Sequence, residues 1–245
     1  MRESCILTGI VIYSAPVGEN DRRIVVLSRE VGRTTVFAGG CRKPTSPLAA
    51  FTRPFTVARF TVYPGKDSYY LQAAEMLESF DGIAADFDAL TYGTYFLELA
   101  GYFSEENVEA TQEVDLLFLT IKALQKKKMP CKLIRAVYEL KLLTIQGIAP
   151  DVFECRKCHK KLTGGYFDAA KHGMLCRDCR EDGRSLDYLD ETSVYCMQFV
   201  ETVELQKLYS FNLREKSLID FCNAIKHYYN MHIGKQFKSL EMIFD

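Results

Sequence analysis

Two Cys-x-x-Cys pairs constrain this chain more than any other feature: Cys155-Arg-Lys-Cys158 and Cys176-Arg-Asp-Cys179, separated by 17 residues. That spacing is the one expected of a structural zinc site. Four thiolates surround Zn²⁺ tetrahedrally at roughly 2.3 Å when the chain turns sharply at each pair. The insert reads as a small hairpin, with Gly164-Gly165 before Tyr166-Phe167-Asp168 and His172-Gly173 as a second turn signal. Its apolar content is low, so metal is expected to supply the stability that a core of that size cannot. Redox pairs would need a thioredoxin-like βαβ context, and structural disulfides an oxidising compartment; the sequence shows neither. Four thiolates leave no open coordination position, so the expected Zn²⁺ is structural. His159 and His172 are the nearest alternative ligands.

A staple of this kind does not name a function, which must come from the surrounding chain. Its 245 residues have room for two or three small domains, and 48% apolar with 26% charged residues describes a soluble globular protein. The five other cysteines, Cys5, Cys41, Cys131, Cys196 and Cys222, read as thiols in a reducing cytoplasm. No apolar leader opens the chain, and no window reaches the ~18 apolar residues of a membrane span. The net charge of −1 conceals three blocks. Residues 22–59 hold eight Arg or Lys against Glu30, residues 81–115 hold nine acids and no base, and residues 122–141 hold seven bases against Glu139.

Residues 3 to about 75 read as five short strands with tight connections, which predicts a five-stranded Greek-key barrel of the OB type. Gly9 inside the first strand suggests a bulge or bend. The stretch Gly39-Gly-Cys-Arg-Lys-Pro-Thr-Ser-Pro47 is a loop with Arg42 and Lys43 at its centre, and it lacks the Gly-Lys-Ser/Thr of a P-loop. From Asp81 the pattern turns helical. A broad apolar face runs from Phe87 and Leu90 to Phe103, and a cleaner one over 113–128. Pro130 stands near the start of a third helix and Gly147 at its end. After the cysteine segment, Asp190-Glu191-Thr192 opens a fourth helix, and Leu218 to Tyr229 mark a last one. The expected architecture is therefore α+β and multidomain. It comprises a barrel at 1–80, a helical domain at 81–150, the Cys₄ zinc module at 151–184, and C-terminal helices at 185–245 packing on the helical domain.

No Gly-x-Ser-x-Gly, His-Glu-x-x-His or Walker pattern is present, and four histidines give little acid–base chemistry, so an enzyme is not expected. The barrel segment instead has the composition of a phosphate track. Its cations are Arg22, Arg23, Arg29, Arg33, Arg42, Lys43, Arg53 and Arg59. The aromatics available for base stacking are Phe37, Phe51, Phe55, Tyr63, Tyr69 and Tyr70. Arg22, Arg23, Arg33, Arg42, Lys43 and Arg53 are the candidate DNA contacts. The competing reading places Phe37, Phe55 and Phe60 inside the barrel.

In this order the parts resemble the bacterial RecO family of DNA repair proteins. The resemblance is carried by Gly9-Ile-Val-Ile-Tyr13, Glu19-Asn-Asp-Arg-Arg-Ile24, Ser28-Arg-Glu-Val-Gly32, Gly39-Gly-Cys-Arg-Lys43 and Glu75-Met-Leu-Glu-Ser-Phe80. It continues in Tyr138-Glu-Leu-Lys-Leu-Leu143, which leads into Gly147-Ile-Ala-Pro-Asp151 and the first Cys pair. Cys41 replaces a residue that is usually small in the family. The resemblance implies a non-enzymatic recombination mediator that binds single- and double-stranded DNA and anneals complementary strands. With RecR, such a protein helps load RecA onto strands coated by single-strand-binding protein, in the cytoplasm at the nucleoid. Given that implication, the basic segment 122–141 is expected to receive the acidic, apolar-ended tail of single-strand-binding protein, with Lys132 and Arg135 beside Leu133 and Val137. Two other readings stand beside it: a zinc-ribbon transcription or translation factor, and a metal-dependent nucleic-acid enzyme.

Overall fold

A computed structural model describes residues 3–180 and 186–243. The tail of the expected 151–184 module and the ends of the chain lie outside the described residues. The chain divides into two compact units. One is built on the chain up to Lys126 together with the segment from Phe237 onward, and the other spans Lys127–Gln236.

The first unit contains the barrel. Its strands are β1 (Cys5–Val17), β2 (Asp21–Ser28), β3 (Gly32–Ala38), β4 (Thr56–Pro64) and β5 (Tyr69–Ser79), closed in the order β1-β2-β3-β5-β4. This is the OB-like barrel that the sequence predicts. Alternation is clean where one face is buried, as in β3, where Thr34, Val36 and Ala38 point inward and Arg33, Thr35 and Phe37 outward. Leu7, Val11, Ile24, Val26, Val36, Phe60 and Val62 fill the interior, with Cys41 of the β3–β4 loop. β1 is longer than expected because it serves two partners, β4 through its first half and β2 through its second. Gly9 lies in both ladders, opposite Ala58 and Ser28. A Cβ there would run into the Leu27 carbonyl and stand 2.8 Å from the Ser28 Cα. Close backbone approach thus explains Gly9, and the register shift that bends β1 falls later, between Val11 and Tyr13.

Helices α1 (Phe87–Phe103) and α2 (Thr111–Lys126) belong to this same unit. Asp86 caps α1 by accepting from the Ala89 N–H at 2.9 Å. Phe87 and Leu90, expected on the buried face, are 61% and 36% exposed; the face begins one turn later. The chain end returns here. Phe237 packs edge-on against Tyr95 and Tyr102, and Ser239 donates to Glu98 Oε2 at 2.8 Å.

The second unit carries α3 (Cys131–Ile145), α4 (Glu191–Thr202), α5 (Glu215–His232) and a four-stranded sheet. That sheet comprises β6 (Asp151–Cys155), β7 (Gly165–Asp168), β8 (Gly173–Leu175) and β9 (Asp187–Leu189), in the order β6-β8-β7-β9. α3 ends in a Schellman motif: Gly147 takes φ +71°, its N–H reaches the Thr144 carbonyl, and the Ile148 N–H reaches that of Leu143. The predicted hairpin is β7–β8, and β6 and β9, which the sequence does not predict, flank it and widen it into a sheet.

Candidate nucleic-acid interface and metal centre

The outer face of the barrel collects aromatic and basic side chains by register alone. One lateral row runs Ala15, Arg23, Phe37, Tyr70, Tyr63 across β1, β2, β3, β5 and β4. Directly opposed residues project from the same face, so this row is a continuous outward strip. Phe37 and Tyr70 stack with centroids 6.0 Å apart and planes 29° from parallel. The Arg23 guanidinium lies 5.7 Å from the centre of the Tyr13 ring. Tyr70 and Tyr13 are about half exposed, at 54% and 50%.

Two loops meet beside this strip. Arg42 donates from its backbone N–H to the Asn20 carbonyl and from Nη1 to that of Gly18, while the Gly40 N–H donates to Asp21 Oδ1. The start of the β3–β4 loop is thereby fastened to the β1–β2 turn, with Arg42 and Lys43 exposed on it. Arg22 is half-buried at the same end of β2, where its Nη1 donates to Ser14 Oγ at 3.0 Å.

Not every expected residue joins this group. Arg33 sits at the opposite end of β3, opposite Leu27, donates to the Gly101 carbonyl at 2.8 Å and faces Glu106 at 3.8 Å. It ties the barrel to the end of α1. Arg53 is exposed on the far part of the β3–β4 loop. Phe51 is half-buried against the barrel core, and Phe55, 9% exposed, is buried but outside that core cluster. Phe60 fills the barrel as the competing reading holds, whereas Phe37 does not. Tyr13 was absent from the expected aromatics. Its outward register beside Arg23 depends on the shift after Val11, which no pattern of residue types displays.

The metal centre forms where β6 and β8 run side by side. Each Cys pair is a tight turn: the His159 N–H reaches back to the Cys155 carbonyl, and the Cys179 and Arg180 N–H groups to that of Cys176. All four sulfurs lie within 4.8 Å of one another, and the Cys158 and Cys176 sulfurs are 3.8 Å apart. A tetrahedral ion with ~2.3 Å bonds needs sulfurs ~3.8 Å apart, so the donors fit such a metal. Burial opposes ionisation of Cys155, but the N–H groups of Cys176, Cys158 and Lys157 outweigh it and bring the thiol down to about 6. Cys176, Cys158 and Cys155 together push Cys179 up to about 12. The two flanking histidines have other partners: His159 Nδ1 faces Glu154 at 2.6 Å, and His172 Nδ1 lies 3.0 Å from the Tyr228 hydroxyl. Gln198 of α4 clamps the module by donating to the Val152 and Leu162 carbonyls.

The expected receptor for an acidic tail is largely interior. Leu133 and Val137 are fully buried and cannot line an open pocket. Arg135 is buried as well, with Nε donating to Glu139 Oε1 at 2.9 Å. Lys141 is also buried, its Nζ donating to the Glu201 and Val203 carbonyls at the end of α4. Of the four residues, Lys132 alone is exposed. α3 is buried on every side from Leu133 to Leu143, so the charges it carries there are satisfied internally.

An OB-like barrel with a basic aromatic face, followed by helices and a cysteine cluster fit for metal, defines the class: a nucleic-acid-handling protein with a metal-competent module. The chain belongs to the RecO family. Residues 1–80 match the family described as Recombination protein O N terminal, and residues 84–241 match Recombination protein O C terminal. Among its relatives is the DNA repair protein RecO of Listeria monocytogenes serotype 4a, 30% identical over 96% of this chain and 92% of its own length. Those of Acetivibrio thermocellus and Clostridium acetobutylicum are 29% and 27% identical, covering 94% and 95% of their lengths. The family is one of DNA repair and recombination. No helix among the described residues is long and apolar enough to cross a membrane.

Proposed function

We propose that this protein is a DNA-binding recombination mediator. It anneals complementary strands and, with RecR, helps RecA load onto single-stranded DNA coated by single-strand-binding protein, in the cytoplasm at the nucleoid. It acts by binding and not by catalysing a reaction. The observation that carries the reading is the outward strip of Arg23, Phe37, Tyr70 and Tyr63 beside Arg22, Arg42 and Lys43. Stacked aromatics hold bases without regard to sequence, and cations follow the phosphates. That pairing suits a protein that must accept any strand. Arg53, exposed on the far part of the β3–β4 loop, is a candidate phosphate contact apart from the strip, and Arg33 supports the barrel from its other end. Zn²⁺ is the metal we assign to Cys155, Cys158, Cys176 and Cys179, in a structural role. The acidic tail of single-strand-binding protein is met by exposed lysines, Lys128 and Lys132, instead of a pocket at Leu133 and Val137.

The test is annealing of complementary oligonucleotides coated with single-strand-binding protein. Wild type should accelerate annealing, and a Tyr70→Ala/Arg23→Ala variant should not. Equal rates with and without wild-type protein would refute the reading.

A further inference from the structure

The sheet of the metal module has an outer face that repeats, on a smaller scale, the chemistry of the barrel strip. Tyr166 of β7 and Tyr188 of β9 are directly opposed in the ladder and meet edge-to-face with centroids 5.4 Å apart. The Arg180 guanidinium lies 4.4 Å from the centre of the Tyr166 ring. Phe167, the alternate residue of β7, points the other way and packs against Tyr228 of α5. Tyr166 and Tyr188 therefore play no part in holding the sheet to its helix. Tyr188 is 56% exposed, on an edge strand where its removal opens no cavity in the core.

Charge favours one occupant. Residues 151–189, which include β9, hold eight Lys or Arg against seven acids, and Asp187 beside Tyr188 faces His227 at 2.7 Å. Asp168 is buried, Asp151 faces Arg156 at 3.3 Å, and Glu154 faces His159 at 2.6 Å. An exposed ring beside a half-buried one that carries a guanidinium, on a face whose nearby acids are buried or paired, suits the flat faces and phosphates of a single strand. We propose that Tyr166, Tyr188 and Arg180 form a second single-strand-binding surface, separate from the barrel strip. This rests on the DNA-binding reading above and deepens it: annealing needs two strands held by one protein, and two surfaces supply that.

The experiment is fluorescence anisotropy of a labelled oligothymidylate titrated with the full-length protein, over a series of salt concentrations. Variants are Tyr188→Ala, Tyr188→Phe, Arg180→Ala and the barrel pair Tyr70→Ala/Arg23→Ala. Tyr188→Ala placed on the barrel pair should weaken the remaining binding by about fivefold or more, while Tyr188→Phe keeps it. Arg180→Ala should lower the magnitude of the salt slope by about one. If the barrel pair abolishes binding and Tyr188→Ala changes nothing on wild type, the second surface is refuted and the mediator reading stands. If wild-type protein does not bind the oligonucleotide, both fall. If Tyr188→Ala weakens capture by immobilised single-strand-binding protein and leaves DNA affinity unchanged, the face docks protein and the proposal falls. Photocrosslinking to an iododeoxyuridine oligonucleotide serves if Tyr188→Ala fails to fold: a crosslinked wild-type peptide containing Tyr188 supports the surface, and its absence overturns it.

Discussion

At the end of α4, Glu201 is half-buried, with its Oε1 atom buried and without a hydrogen-bond partner. Burial, and next the nearby Asp151 charge, push its pKa up to about 8, against a smaller pull downward from Lys141. Because the folded value lies above the unfolded one, the group's contribution to stability is fully present below about pH 4.5 and is lost as pH rises through 8. Glu201→Gln should therefore flatten the decline in melting temperature between pH 6 and 9. Parallel wild-type and variant curves over that range would show that the carboxyl is already ionised at no cost. Lys141, whose own pKa is lowered by burial, donates to two carbonyls at the same helix end, each at 2.9 Å. Lys141→Ala leaves both without that donor and should cost about 1–3 kcal/mol in chemical denaturation. An unchanged denaturation midpoint would show that water replaces the ammonium fully.

Among elements, β1 and the cysteine turns are the most demanding. Gly9 is where β1 passes from one partner strand to the other, and a Cβ has no room between the Leu27 and Ser28 backbones. Gly9→Ala should destabilise the barrel by about 1–3 kcal/mol or more, since separating two ladders is costlier than moving a side chain. Thermal melts decide it, with wild-type stability as the refuting outcome. The metal module makes a different demand. Its strands have three to five residues, and its insert depends on the four sulfurs for closure. Chelation, or Cys155→Ser, should release one metal ion per chain and raise proteolysis within 151–180 while sparing the barrel strands. Metal analysis of purified protein that finds none, with all four thiols reactive, would remove the metal from this account.

For the whole molecule, the near-zero net charge averages over unlike surfaces: Arg29, Arg33 and Arg59 face Asp115, Glu106 and Glu75, whereas Arg22, Arg23, Arg42 and Lys43 gather at the end of the barrel that carries the aromatic strip. DNA affinity should fall steeply with salt. An Arg42→Glu/Lys43→Glu reversal should weaken binding across sequences and flatten the slope by about two, with the fold intact. An unaltered slope would move the track away from the loop joined to the β1–β2 turn.

What the sequence determined by itself was chiefly local. The two Cys pairs, the turn glycine Gly147, the Asp190 cap and the alternation of β3 each express their chemistry within a few residues. The succession of barrel, helices and metal module followed from them. Tertiary structure decided everything that depends on which strand lies beside which. It brought Arg23, Phe37, Tyr70 and Tyr63 into one row, and Tyr166 and Tyr188 into another, across ladders between residues far apart in the chain. It also decided which cations face water. Lys132 and Arg135 look alike in sequence, and Arg33 looks like Arg23, yet burial assigns Arg135 to Glu139 and helix packing assigns Arg33 to Gly101. A charge is equally legible at every position; whether it is desolvated and paired or left for a ligand depends on what the rest of the fold places beside it.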